Sequence, residues 1–314
     1  MSISKDAIIA AHKRIESYII RTPVKQDRYF NSTLNAEVFF KCENRQKIGA
    51  FKARGALNAV LRLPEHEKIK GVATHSSGNH AQALALAAKT FGIKAWIVMP
   101  TNTPAIKLEG VKKLGAEIIL CEPTLEARES NVERVVNETG AIFIPPYNHL
   151  HIIEGQATAA KELIEEVKGL DIILVPVGGG GLLSGTSLSA HYFASSCSVY
   201  GCEPENLDDA YRSFHSGKIE ALEPGKSTVA DGLRTTLGEI TFAIIKKYVK
   251  GILTVPEEDI LPAMKLFREK TKELIEPSSA VAVAALLKNK RLVAGKKVGV
   301  ILSGGNVEAK EFAD

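Results

Sequence analysis

The sequence predicts an α/β protein of two interleaved domains, with mostly parallel twisted sheets flanked by helices. Three observations carry this. Short apolar segments of strand length alternate with helical patterns along most of the chain. Some of them, such as Asp171–Val177 (DIILVPV), are apolar throughout, as strands covered on both faces are. The 314 residues exceed one ordinary domain, yet no Pro/Gly-rich linker divides them.

The elements follow in order. Ala36–Lys41 (AEVFFK) has the aromatic, β-branched character of a strand, and Gly55–Leu63 has helical spacing. Gly71–His75 is a short strand before the Ala/Leu-rich helix His80–Phe91. Lys94–Met99 is β-like, Pro104–Leu114 helical, Glu117–Cys121 a strand, Leu125–Glu138 a helix and Ala141–Ile144 a strand. Helix Gly155–Val167, strand Asp171–Val177, helix Leu182–Phe193 and strand Ser198–Cys202 follow. Helix Ser278–Leu287 and strand Lys297–Leu302 close the series. Residues 1–70 and 146–314 are expected to form the large domain, with 71–145 a small domain inserted in it.

Composition narrows the class. Hydrophobic residues make up 45% and charged residues 24%, which excludes a disordered chain, a fibrous repeat and a disulfide-rich miniprotein. A net charge of +4, from 40 Lys+Arg against 36 Asp+Glu, gives no reason to expect nucleic acid. No apolar run reaches the ~18 residues of a membrane span, and the N-terminus lacks a signal-peptide pattern. Cys42, Cys121, Cys197 and Cys202 form no C-x-x-C, and reduced thiols in the cytoplasm are expected.

Ligands in such folds sit beyond the carboxyl ends of parallel strands. Three strand exits carry unusual loops: His75–His80 (HSSGNH), Gly178–Gly181, and Ser303–Asn306 (SGGN). Four successive glycines before a helix let backbone N–H groups surround an anion at the positive end of the helix dipole. No Lys-Ser/Thr follows, so this is not a P-loop, and Ser184 stands where a dinucleotide fold needs its third glycine. A small phosphorylated cofactor fits better than a nicotinamide. Lys52, between Phe51 and small residues, is the second clue. An amine in an apolar setting has a lowered pKa and becomes a nucleophile suited to Schiff-base chemistry. Together the two features suggest pyridoxal phosphate.

The segments GAFKARGALNAV (Gly49–Val60), THSSGNHAQALALAA (Thr74–Ala88), GQATAAKEL (Gly155–Leu163), VPVGGGGLLSG (Val175–Gly185), CEPENLDDA (Cys202–Ala210), TVADGLRT (Thr228–Thr235), LIEPSSAVAVAAL (Leu274–Leu286) and LSGGNV (Leu302–Val307) carry a resemblance spanning nearly the whole chain. The chain resembles the fold-type II pyridoxal-phosphate enzymes, the tryptophan synthase β-like group. Within them it is similar to the serine/threonine dehydratase and serine racemase family. The resemblance implies that Lys52 forms the Schiff base and acts as the base on one face of the cofactor. It implies that Gly178, Gly179, Gly180 and Gly181, with the Leu182 N–H, hold the phosphate. Asn79 would meet the phenolic oxygen, Phe51 would pack on the ring, Ser303 would reach the pyridine nitrogen, and Gly232 and Glu276 would line the ring edge. Ser76, Ser77, Gly78 and Asn79 would bind the substrate carboxylate, with Ser77 opposite Lys52 as a second acid–base group, and Arg128 on the substrate side.

The activity so implied is a serine/threonine dehydratase, an ammonia-lyase that removes water from a β-hydroxy amino acid and yields a 2-oxo acid and ammonia. A neutral serine at the ring nitrogen weakens the electron sink and favours prompt loss of the β-hydroxyl. Ser77 favours some serine racemase activity. The segment Pro145–His151 resembles that of threo-3-hydroxyaspartate dehydratases, with His149 or His151 a candidate partner for a second carboxylate. Other readings are a noncatalytic pyridoxal-phosphate binding protein and a nicotinamide oxidoreductase. Clustered acids after strand Ser198–Cys202 suit Mg²⁺ or another divalent cation. The resemblance points to Glu203, the Leu207 carbonyl and Asp209 as its ligands, and a homodimer is expected. The chain departs from the family in three places. Past LSGGNV no regulatory domain is expected, Glu154 replaces the usual Ala, and Asp27-Arg28-Tyr29 replaces the small hydroxyl residues of the mammalian nucleotide site.

Overall fold

The computed structural model describes residues 3–103 and 105–307. Strands β1 (Val24–Lys25) and β2 (Glu37–Cys42) come first. β3 (Val72–His75), β4 (Ala95–Pro100), β5 (Glu117–Cys121) and β6 (Ile142–Phe143) follow, then β7 (Ile172–Pro176), β8 (Ser198–Pro204), β9 (Gly251–Val255) and β10 (Lys297–Leu302). A six-stranded sheet has the order β1-β2-β10-β7-β8-β9, and a four-stranded sheet the order β5-β4-β3-β6. All neighbours run parallel except β1, which pairs antiparallel with β2. The strands of the smaller sheet all lie in sequence between β2 and β7 of the larger one.

The apolar runs are buried as their composition requires. Every residue of β4 and β7 is buried, as are residues 277–286 of helix Pro277–Lys288. Several elements begin earlier than expected. The first α-helix after β2 spans Lys52–Leu61, so Lys52 opens it. The helix expected from Gly155 spans Leu150–Glu166. Both differences have one cause, because Gly55 and Gly155 do not end helices but let two cross. A Cβ on Gly155 would lie 2.6 Å from the Arg54 carbonyl oxygen, and one on Gly55 2.3 Å from the Gln156 amide. β8 runs two residues further, to Pro204. Helices Lys5–Ile15, Arg28–Leu34, Glu239–Tyr248 and Glu257–Thr271, and strand β9, are additional to the expected elements. The expected helix at Pro104–Leu114 is found at Ala105–Lys113, and Pro104 itself lies outside the described residues.

Behind the Lys52 helix lies a buried ion network. Arg54, fully buried, donates from Nε to Glu43 at 2.7 Å and from Nη1 to Glu162 at 2.8 Å. Lys41 Nζ donates to Glu162 at 2.6 Å. Two cations and two anions neutralise one another, the condition under which charges tolerate burial. The network ties β2, the helix after it and helix Leu150–Glu166 together, and so fixes where Lys52 begins.

Candidate active site

The loops after β10 and before the Lys52 helix meet directly. Ala50 and Gly304 form an antiparallel bridge, the Phe51 N–H donates to the Ser303 carbonyl at 3.0 Å, and the Gly305 N–H donates to the Gly49 carbonyl at 2.9 Å. Lys52 is therefore one residue from a backbone bond to Ser303. Its Nζ donates to the Pro146 carbonyl at 2.7 Å and lies 5.3 Å from the Phe51 ring centroid. Burial pulls the amine down to about 8 from 10.5, only partly opposed by the Glu276 carboxylate.

The loop after β3 joins from the smaller sheet. Asn79, first residue of helix Asn79–Phe91, donates from Nδ2 to the two Glu276 oxygens at 2.9 and 3.1 Å. Asn306 Nδ2 donates to Asn79 Oδ1 and to the Ile48 carbonyl, each at 2.8 Å. Burial pushes the Glu276 carboxyl up to about 7, against the Asn79 amide, which holds it down. In the loop between, the Gly78 N–H donates to Ser76 Oγ at 3.3 Å, and Ser76, Ser77 and Gly78 are half-buried. Arg128 is half-buried near His75 at the end of β3, where its charge adds to burial in lowering the His75 pKa, and its Nε donates to the Thr124 carbonyl at 3.2 Å.

The four-glycine loop is buried throughout and has no room for side chains. Gly180 has φ +85°, in the left-handed region that favours glycine. A Cβ on Gly179 would lie 2.3 Å from the Tyr147 ring, and one on Gly178 2.8 Å from Leu233 Cα, beside Gly232. Thr241 fastens the loop from behind, since its Oγ1 donates to the Gly179 carbonyl at 2.8 Å. Helix Gly181–Phe193 starts here, and its first N–H groups, Leu182 among them, lack intrahelical acceptors. Gly232 is exposed, and its N–H donates to Ser278 Oγ at 2.9 Å.

These residues fit a phosphorylated aldehyde cofactor. The glycine loop is packed so closely by Tyr147, Leu233 and Leu237 that a Cβ would collide at Gly178, Gly179 and Gly180, and burial lowers the lysine amine to about 8. Tyr147 belongs to the site, although its sequence context alone does not single it out. It follows Pro146, the acceptor for Lys52, and its ring lies on Gly179 and its Cβ on Gly181. The Pro-Pro-Tyr run just before a buried helix is its available signal.

Other candidates are placed differently. His149 Nδ1 is buried without a hydrogen-bond partner, and burial together with the His151 ring 5.1 Å away lowers its pKa. His151 Nδ1 is 3.2 Å from Glu154, which also accepts from Asn58 Nδ2. Glu154 thus holds His151 of its own helix and Asn58 of helix Lys52–Leu61, and His149 is poorly suited to be a cation. Asp27 caps helix Arg28–Leu34 by accepting the Tyr29 N–H at 2.9 Å. Glu203 accepts the Ala210 and Tyr211 N–H groups at 2.9 and 2.8 Å, capping helix Asp209–Ser216. Asp209 Oδ2 is buried without a partner, and Leu207 is buried close by in the short turn between the two acids. Burial raises both carboxyls, Asp209 to about 7, and the Asp209 charge pushes Glu203 up further. Among the described residues no group of three or more His, Cys, Asp or Glu side chains could hold a metal.

Two mostly parallel sheets, a closely packed glycine loop and a desolvated lysine joined to it through Pro146 and Tyr147 are the features of a cofactor-dependent enzyme of the pyridoxal-phosphate class. Residues 15–304 match the family model described as pyridoxal-phosphate dependent enzyme, and the chain belongs to that family. Within it the chain belongs to the serine racemase and serine/threonine dehydratase group of fold-type II. It is 49% identical to a serine racemase of Dictyostelium discoideum, over 96% of this chain and 94% of that one. It is 48% identical to a beta-hydroxyaspartate dehydratase of Paracoccus denitrificans, over 96% and 95%. Among solved structures, a threonine deaminase from T.th. superposes with a TM-score of 0.92 at 40% identity, covering 97% of this chain and 99% of that one. No helix among the described residues is long and apolar enough to cross a membrane.

Proposed function

We propose that the protein is a dehydratase of small β-hydroxy amino acids, releasing a 2-oxo acid and ammonia. The observation that supports this most is the link from the buried Lys52 amine through Pro146 and Tyr147 to the four-glycine loop, with Asn79 of the Ser76–Asn79 loop bonded to Glu276, whose charge acts on the same amine. Pyridoxal phosphate, when bound, supplies the electron sink that acidifies the substrate Cα–H. In this reading Lys52 Nζ anchors the cofactor and then takes the Cα proton. N–H groups of Gly178 to Leu182 hold the phosphate, where the helix dipole favours negative charge. Phe51 packs on the ring, Asn79 meets its phenolic oxygen, Ser303 its nitrogen, and Gly232 and Glu276 its edge. Ser76 to Asn79 hold the substrate carboxylate and Arg128 faces the substrate.

Racemisation of serine is the second reading, favoured by Ser77 in the carboxylate loop, where a hydroxyl can return a proton to the face opposite Lys52. The relatives named serine racemase and hydroxyaspartate dehydratase support racemisation of serine and dehydration of 3-hydroxyaspartate as well as they support dehydration of serine or threonine. Glu203, the Leu207 carbonyl and Asp209 would hold a divalent cation such as Mg²⁺, whose charge would relieve two buried acids and give Asp209 Oδ2 a partner.

The test is a product assay on L-serine, L-threonine and both 3-hydroxyaspartates, scoring oxo acid and D-amino acid together. Oxo acid from at least one substrate, lost in Lys52→Ala, is expected. No oxo acid from any of them would refute the dehydratase reading. Ser77→Ala should abolish D-serine formation while sparing much of the elimination from the L-substrate, and equal loss of both would contradict the two-face arrangement.

A further inference from the structure

We propose that His80 is a positioning residue that keeps the Pro145–Pro146 crossover in place when Lys52 turns from the Pro146 carbonyl to the cofactor. This rests on the reading above that Lys52 anchors pyridoxal phosphate.

The chain leaves the smaller sheet after β6 and reaches helix Leu150–Glu166 through Ile144, Pro145, Pro146 and Tyr147. The two prolines have no N–H to donate. The carbonyls of Ile144 and Pro146 take side-chain donors instead. His80 Nε2 is 3.0 Å from the first, and Lys52 Nζ donates to the second at 2.7 Å. A carbonyl only accepts, so Nε2 carries the ring proton. Burial, helped by the Lys52 charge, pulls His80 down to about 3, so the ring stays neutral while Lys52 titrates. His80 is 2% exposed, and its Nδ1 is buried without a partner. An unpaired buried nitrogen costs stability. What the ring gives in return is the Nε2 bond to the crossover. Its neighbour Asn79 bonds Glu276, so the first turn of helix Asn79–Phe91 grips both the crossover and the larger domain.

Lys52 cannot serve both of its partners at once. When its amine condenses with an aldehyde, a carbon–nitrogen double bond replaces the carbon–oxygen one. Both amine hydrogens leave with the oxygen as water, and neither remains for the Pro146 carbonyl. The Tyr147 hydroxyl, bonded to Thr235, still fastens the far end of the crossover. The near end then depends on His80.

The test separates this duty from ordinary packing. Wild type, His80→Leu, His80→Gln, Lys52→Met and the His80→Leu/Lys52→Met double variant are melted without cofactor. Those that keep Lys52 are also titrated with pyridoxal phosphate and melted when loaded. His80→Leu should bind the cofactor about fivefold more weakly, the equivalent of one net hydrogen bond. It should also lower the melting temperature of loaded protein more than that of free protein. Without cofactor, the double variant should lose more than the two single losses added together, because each residue covers for the other. His80→Gln, whose amide can donate to the Ile144 carbonyl, should recover most of the affinity. If His80→Leu does not fold, His80→Asn, too short to reach that carbonyl, takes its place. Equal losses in loaded and free protein, additive single losses, or a Gln variant no better than Leu would each overturn the proposal. If borohydride fixes no pyridoxyl group on Lys52 of wild type, the underlying reading of Lys52 fails with it.

Discussion

Replacing Gly179 by alanine tests the glycine cradle at its tightest point. The new methyl would lie 2.3–2.4 Å from three atoms of the Tyr147 ring, far inside van der Waals contact. That ring cannot simply swing away. The neighbouring Asn148 Oδ1 accepts the Ile240 N–H at 3.0 Å, the His149 N–H donates to the Tyr147 carbonyl at 2.9 Å, and the Pro146 carbonyl accepts from Lys52 at 2.7 Å. Overpacking of this kind costs about 1–3 kcal/mol. Because relief requires moving the loop or the Lys52 acceptor, the cost falls on cofactor binding, a loss of about 5- to 150-fold in affinity. Gly181→Ala meets the same residue at 3.1 Å, at Cβ, and should lose less. The assay is titration of each apoprotein with pyridoxal phosphate, beside a thermal melt of the apoprotein. Wild-type affinity in Gly179→Ala, or a larger loss in Gly181→Ala, would refute the cradle as drawn.

Other outcomes follow from the same geometry. Cofactor capture by the apoprotein should accelerate with a midpoint near pH 8, because burial holds Lys52 at about 8 and the free amine is the nucleophile; a midpoint near the ordinary 10.5 would contradict this. Between those values the unfolded chain keeps a proton on this amine that the folded chain has lost, so Lys52 makes the apoprotein more stable as pH rises through that window. Arg54→Met strands the buried Glu43, leaving Lys41 to hold Glu162, and should cost about 3–5 kcal/mol in denaturant unfolding, and a loss under about 1 kcal/mol would rule out an essential network. Added Mg²⁺ should raise the melting temperature of wild type but not of Asp209→Asn, and an equal rise in both would place any cation elsewhere.

The strands are legible because the buried ones are apolar at every position, a pattern that survives without tertiary context. Lys297–Leu302 has the same bounds in sequence pattern and structure, and so does the edge strand Glu117–Cys121, which buries only Cys121. Amphipathic helices on the surface are harder to read. Glu257–Thr271 opens with three acids and contains Pro262, yet its buried residues Ile260, Ala263, Met264 and Phe267 keep helical spacing and are the signal that marks it. The site motifs are legible one at a time, because glycine runs and an isolated lysine carry chemistry locally. Their meeting is not. The Ala50–Gly304 bridge and the Asn79–Glu276 bonds join residues 254 and 197 positions apart, and no local pattern encodes such pairs. Tyr147 escapes for a similar reason, since it matters through what it touches. The burial of His149 without a hydrogen-bond partner for its Nδ1 and the capping bonds of Glu203 are visible only in the structure.

The central claim is that Lys52 carries the cofactor. Borohydride reduction of the protein loaded with pyridoxal phosphate, followed by peptide mass spectrometry, tests it directly. One pyridoxyl group is predicted, on the peptide containing Lys52, and none at that position in Lys52→Ala. A stoichiometric label on another lysine, or no label in a loaded wild type, would contradict it.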